Sequence, residues 1–213
     1  MKEKKMYALL AVFVLAVLFP LSATPYASTS AAVEERQHPP GIGKKLHLTT
    51  GLMIRKEVEV SADCEQVWQA WSSEKGAVTF FAPQAKIELA VGGEYEMYFA
   101  PKQQRGHRGS EGCVILSFIP SEMISFTWNA PPSLAKIRDE NTWVVLTFKP
   151  MANGKTRVQM VHLGWGAGEE WQKALRYFDR AWELVLSRLV YRFRYGPIDW
   201  KNPYTPERLK QTN

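Results

Sequence analysis

The chain has 213 residues, and 27 lysines and arginines against 21 aspartates and glutamates give it a formal charge of +6. The basic residues are scattered, with small groups at Lys44-Lys45, Arg105 to Arg108 and Arg188 to Arg194, and no basic track interleaved with aromatics runs through them. That sets nucleic-acid modules aside and reads as solvated surface. No histidine pair or short histidine–cysteine motif has metal-ligand spacing, so neither a metal nor another cofactor is expected.

Lys2, Lys4 and Lys5 precede an uncharged run from Met6 to Phe19 that Pro20 ends. A basic head and a short apolar stretch are the marks of a secretory signal, and the run is shorter than the roughly 20 residues of a membrane-spanning helix. Residues 1–27 therefore read as a signal peptide, with cleavage between Thr24 and Ala32, and the alternative is a retained N-terminal anchor. No cysteine follows the apolar run closely and no paired arginines precede it, which leaves the general export route. The mature protein is expected in the periplasm or outside the cell, without stable membrane insertion. Its polar, proline-containing linker at 28–52 leaves 53–194 for one domain and 195–213 for a tail.

Met53 to Val60 alternates Ile54, Val58 and Val60 with Arg55, Glu57 and Glu59, the pattern of a half-buried strand. Ser61 or Asp63 then caps a helix carrying Val67, Trp68 and Trp71, and a second short helical piece runs from Ser73 to Phe80 or Phe81, ending near Pro83. Strands follow at Ala85 to Ala90, Glu94 to Ala100, Gly112 to Ile119, Met123 to Trp128, Thr142 to Lys149 and Thr156 to Leu163. Gly92-Gly93 and Pro120-Ser121 read as turns, and Asn153-Gly154 is a hairpin signal because both residues tolerate positive φ. Two longer connections stand out: polar Lys102 to Ser110, and Asn129 to Asn141, which is placed to lie over a pocket mouth. Glu169 to Phe193 is an amphipathic helix with Trp171, Leu175, Phe178, Trp182, Val185 and Leu189 on one stripe. The tail packs through Trp200 and Tyr204.

Strand, two helices, six strands and a long helix make an α+β helix-grip arrangement, a curved antiparallel sheet wrapped around the last helix. The missing crossover helices exclude a parallel sheet. The segments VEVSADCEQVWQAWSS from Val58, VGGEYEMYF from Val91, GCVILSFIPSEMISFTW from Gly112, TWVVLTFKPMANGKTRVQMVHLGW from Thr142 and EEWQKALRYFDRAWELVLSRL from Glu169 carry a family resemblance in their order and spacing. Over about 53–194 the chain resembles the activator of Hsp90 ATPase homologue 1-like branch of the START/Bet v 1 (SRPBCC) superfamily. The resemblance implies an internal cavity between sheet and C-terminal helix that suits apolar or amphipathic small molecules, and it implies no single activity. The branch takes its name from a co-chaperone role in the cytosol, and an exported protein would not meet cytosolic Hsp90.

His162 alone among the histidines lies in an expected strand, on the face of Val158 and Met160. Turned inward it either moves a proton near neutral pH or sits in the core, satisfied by a neighbouring carbonyl, and the resemblance favours the core role. Tyr95, Met97 and Phe99 are the expected inward set of their strand, with Glu94, Glu96 and Tyr98 outward, and Glu111 is within reach of Arg105 or Arg108 at the rim. No G-x-S-x-G elbow or phosphate-binding glycine loop is present. Cys64 opens a helix and Cys113 sits in a strand, contexts that read as separate buried thiols, with one disulfide as the alternative.

Stiff aromatic rings leave flat apolar slots, and Trp128, His162, Trp165 and Trp182 are the expected ligand-binding set. Three functions remain open. One is an exported protein that binds a small apolar or amphipathic ligand. Another is a cyclase or hydratase-type enzyme with acid/base chemistry in the same cavity, its catalytic residues unassigned. The last is a module that binds a protein partner through an exposed apolar patch.

Overall fold

The computed structural model describes residues 51–206, so the signal-peptide reading at 1–27 and nearly all of the linker at 28–52 lie outside the described residues. β1 (Ile54–Val60) leads into α1 (Cys64–Ser72), where Asp63 Oδ1 accepts from Gln66 N at 2.8 Å and closes the first turn. Ser73 ends α1 and caps α2 (Glu74–Ala77), its Oγ accepting from Gly76 N at 3.1 Å. β2 (Gln84–Ile87) and β3 (Tyr95–Tyr98) form a ribbon, followed by β4 (Ile115–Ile119), β5 (Met123–Trp128), β6 (Thr142–Pro150) and β7 (Thr156–Leu163). α3 (Glu169–Tyr195) closes the domain between Gly168 and Gly196.

The main sheet is antiparallel in the order β1-β7-β6-β5-β4. Bonds from Tyr95 N to Cys113 O at 2.8 Å and from Ile115 N to Gly93 O at 2.9 Å stitch the β2-β3 ribbon to the strand leading into β4. Bridges pairing Glu94 with Val114 and Tyr98 with Gly109 continue the same edge. β3 and β4 are shorter than their sequence patterns. Gly112 turns the chain at φ 81° and the register shifts between Ile115 and Ser117, so regular pairing starts late in β4. β3 stops at Tyr98, which leaves Phe99 46 % exposed where strand alternation puts it inside. Its strand mates Tyr95 and Met97 are fully buried.

The opposite face of β3 is satisfied by pairing rather than by water alone. Tyr98 Oη–H donates to Glu96, Gly112 N donates to Glu96 Oε1 at 2.6 Å, and Lys86 pairs with Glu94 at 2.7 Å. Burial, with the Glu96 carboxylate beside it, pushes the Tyr98 phenol up to about 12.

α3 buries Trp171, Ala174, Phe178, Trp182, Val185, Leu186 and Leu189. Leu175 is only half-buried, because Ala174 takes the inward place one position earlier. Rings fill the space beneath the helix: Phe81 stacks on Trp128 at 5.6 Å, Tyr95 on Phe126 at 4.1 Å, and Trp71 meets Phe80 edge-on at 4.9 Å. Each such buried ring contributes about 1.5–3 kcal/mol by leaving water. After α3 the tail folds back, with Ile198 N donating to Thr79 O at 2.8 Å and Trp200 Nε1 to Val78 O at 2.6 Å. Tyr204 stacks on Tyr191 at 4.4 Å, so Trp200 and Tyr204 are the tail's anchors as expected. Both cysteines are free: Cys113 is buried, whereas Cys64 is only half-buried.

Candidate functional site

An apolar cavity of about 340 Å³ opens where α3 passes the ends of β3 and β5. Phe81, Trp128, Phe178 and Trp182 form its inner wall, and Ala181, Val185 and Arg188 bring successive turns of α3 to its side. The mouth is framed by the two long connections, through His107, Arg108 and Ser110 of one and Asn129, Pro131 and Pro132 of the other. Residues 132–137 of the second connection form a short 3-10 turn, and the reading of this segment as cover for a pocket mouth agrees with its position.

Polar contacts hold both connections. Glu111 accepts from Gly106 N at 2.8 Å, from Arg108 N at 2.9 Å and from Arg108 Nε at 2.8 Å. Burial opposes ionisation of Glu111, but these donors outweigh it and hold the carboxyl below its ordinary value. Asn129 Nδ2 donates to Glu111 O at 2.8 Å, and Arg138 clamps the two loops together by donating to Ala130 O and, at 2.7 Å, to Gly109 O. Gly109 is required here, since a Cβ on it would lie 1.8 Å from Met97 O.

The structure separates the four expected site residues into two groups. Trp128 and Trp182 line the cavity, whereas His162 and Trp165 stand behind its wall. His162 is fully buried, and every polar atom of its ring is engaged. Its Nδ1 accepts from Trp182 Nε1–H at 2.9 Å, and because an indole only donates, the imidazole proton is on Nε2. Nε2–H then donates to Thr142 Oγ1 at 2.7 Å, and the threonine hydroxyl donates to Trp128 O at 2.7 Å. Trp165 Nε1–H donates to the His162 carbonyl at 3.0 Å and its ring lies 4.3 Å from the imidazole.

Burial lowers the His162 pKa from 6.5 to about 3, so the ring is neutral across the physiological range. It has neither a proton to exchange with the cavity nor a free face toward it. His162 is a core histidine that orients Trp182 and, through Thr142, the backbone of Trp128. Its partners are two side chains rather than the carbonyl expected from sequence. Burial likewise pushes the Cys113 thiol up to about 12, which leaves it unreactive.

Phe81, Phe99, Ala181 and Arg188 are lining residues that the sequence reading missed. A signal existed for two of them: Ala181 and Arg188 continue the Phe178, Trp182, Val185 stripe at helical spacing. Alternation turned Phe99 inward with Tyr95 and Met97 but did not mark it as a cavity residue, and Phe81 lies outside any regular element, where periodicity is silent. Among the described residues no cluster of histidine, cysteine or acidic side chains is arranged to hold a metal ion. No described helix is long and apolar enough to cross a membrane.

The sequence profile described as Activator of Hsp90 ATPase homolog 1-like protein matches residues 61–194. Solved structures share the fold. The Aha1 dimer from Colwellia psychrerythraea is 17% identical with a TM-score of 0.53, over 68% of this chain and 98% of that one. Protein MLL2253 from Mesorhizobium loti is 20% identical with a TM-score of 0.51, over 65% and 93%. CalU16 from Micromonospora echinospora is 18% identical with a TM-score of 0.50, over 74% and 80%. No curated protein matches the sequence.

Proposed function

The chain belongs to the Activator of Hsp90 ATPase homolog 1-like family, and from that premise we propose that it is an exported protein that binds a small apolar or amphipathic molecule in the cavity beside α3. The carrying observation is the cavity itself, about 340 Å³ walled by Phe81, Trp128, Phe178 and Trp182, with a mostly apolar lining and few polar groups. Its size is at the lower end of the roughly 300–1,000 Å³ of small-molecule sites, which are concave, mostly apolar and rimmed by a few polar groups. Export rests on Lys2, Lys4 and Lys5 before the apolar run to Phe19, and it separates this protein from cytosolic Hsp90.

The binding reading takes precedence over the cyclase or hydratase reading because the one strand histidine is enclosed. The group expected to carry acid/base chemistry has both nitrogens committed to Trp182 and Thr142, and the histidine that does line the cavity, His107, is on the connection at its mouth rather than against the inner wall where the apolar body is held.

Native mass spectrometry of the protein recovered from its own cells tests both halves of the proposal. The expected result is a stoichiometric small molecule on a chain whose first residue lies between Thr24 and Ala32. An empty protein that takes up no apolar fluorescent probe overturns the binding reading, and a cytoplasmic chain starting at Met1 overturns export. Ala181→Trp places an indole in the cavity and is expected to weaken probe binding more than about tenfold while the fold persists by circular dichroism.

A further inference from the structure

Every charged side chain that lines the cavity is basic. Arg108 and Arg188 line it, His107 stands beside Arg108 at the mouth, and no aspartate or glutamate contributes to the wall. The two arginines differ in how their charge is balanced. Arg108 is neutralised by Glu111, which it meets at 2.8 Å, and its guanidinium lies 4.5 Å above the Tyr98 ring. Arg188 has no carboxylate partner among the described residues. Its hydrogen bond there runs from Nε to Tyr204 O at 3.1 Å, and its guanidinium carbon sits 5.2 Å from the Trp200 ring centre.

Those two contacts hold Arg188 from the tail side and leave its terminal nitrogens without a described acceptor. The side chain is half-buried, and burial lowers its pKa from the ordinary guanidinium value. A guanidinium that has lost part of its hydration without gaining an anion is costly, and an anion that reaches it forms charge-assisted, often bidentate, bonds. Its position one helical turn beyond Val185 puts this fork at the end of an apolar wall that begins at Phe178 and Trp182.

On the reading that the cavity holds a ligand, we propose that this ligand is an amphipathic anion. Its apolar body lies against Phe81, Trp128 and Trp182, and its carboxylate or equivalent anionic head is held by Arg188 at the mouth. Arg108 acts differently: locked to Glu111, it shapes the opposite rim and adds no net charge. The aromatic wall favours a ringed body, since flat rings stack on Trp128 and Trp182 at little entropic cost.

Calorimetric titration of the mature protein with matched pairs tests this directly: naphthylacetate against naphthylethanol, and decanoate against decanol. Each acid is expected to bind about tenfold or more tightly than its alcohol, the size of a hydrogen-bonded charge interaction. The preference is expected to fall as salt is raised. Arg188→Gln is expected to reduce it to about twofold or less, and Arg188→Lys to restore part of it. If the wild-type protein binds acid and alcohol alike, the anionic-head assignment is overturned and the cavity reading stands. Retention of the full preference in Arg188→Gln also overturns the role of Arg188. If neither member of either pair binds, the cavity reading is overturned together with the assignment built on it. The wild-type pairs need no variant, so misfolding of Arg188→Gln does not rescue the proposal.

Discussion

His162 shows how one residue type is redirected by its neighbours. Strand alternation turned it inward, where proton chemistry and core structure were both open. Trp182 Nε1–H on one nitrogen and Thr142 Oγ1 on the other close the first option. Its folded pKa of about 3 lies below the unfolded value of 6.5, so the unfolded chain binds the extra proton between those limits. Stability contributed by keeping the ring neutral is therefore complete above about pH 6.5 and is lost as pH falls toward 3, at about 1.4 kcal/mol per unit. In His162→Asn, urea unfolding near neutral pH is expected to show a loss of about 1–3 kcal/mol from the broken network. At about pH 4.5 the gap between variant and wild type is expected to narrow, because the variant has no imidazole to protonate. A gap that does not change with pH would count against the neutral, enclosed ring.

At the scale of elements, the turns and helix ends were legible because their chemistry is local. Asn153 and Gly154 adopt φ 63° and 68° at the β6-β7 hairpin, and Ser121 adopts φ 60° between β4 and β5. Asp63 rather than Ser61 caps α1, a choice that depends on which side chain reaches Gln66 N. α3 places Glu169 and Glu170 in its first turn and Arg192 and Arg194 in its last, so its charges oppose the helix dipole at both ends. What local pattern did not show was the seam between the β2-β3 ribbon and the main sheet. That seam depends on Gly109 passing against Met97 O, closer than any Cβ allows. Gly109→Ala is expected to destabilise the domain by about 2 kcal/mol or more, read as a lower urea midpoint, and to loosen the loop that carries Arg108. An unchanged midpoint would show that the loop shifts at no cost.

At the scale of the whole molecule, the described part of the tail, through residue 206, packs on the domain. Trp200 reaches Val78 O and packs against the guanidinium of Arg188, which joins α3 to the segment after α2. Trp200→Ala is expected to lower stability by about 2 kcal/mol and to raise the amide exchange rate at Ile198, whose N–H is bonded to Thr79 O. Exchange at Ile198 unaffected by the substitution would mean that the tail is held without Trp200. The order of strands and helices, the antiparallel sheet, the inward stripe of α3 and the family were all legible in the amino-acid order. Alternation at period two, helical spacing and turn chemistry are carried by residues close together in the chain. The choice among Trp128, His162, Trp165 and Trp182 was not legible that way. All four are buried and aromatic or ring-bearing, and only the crossing of α3 over the sheet decides which two face the cavity. The same holds for Arg188, one more basic residue on a helix by sequence, which the fold carries to the cavity lining while Glu111 neutralises Arg108, the other arginine there. Burial and charge pairing between residues distant in the chain are properties of packing, and packing exists only once the tertiary structure has formed.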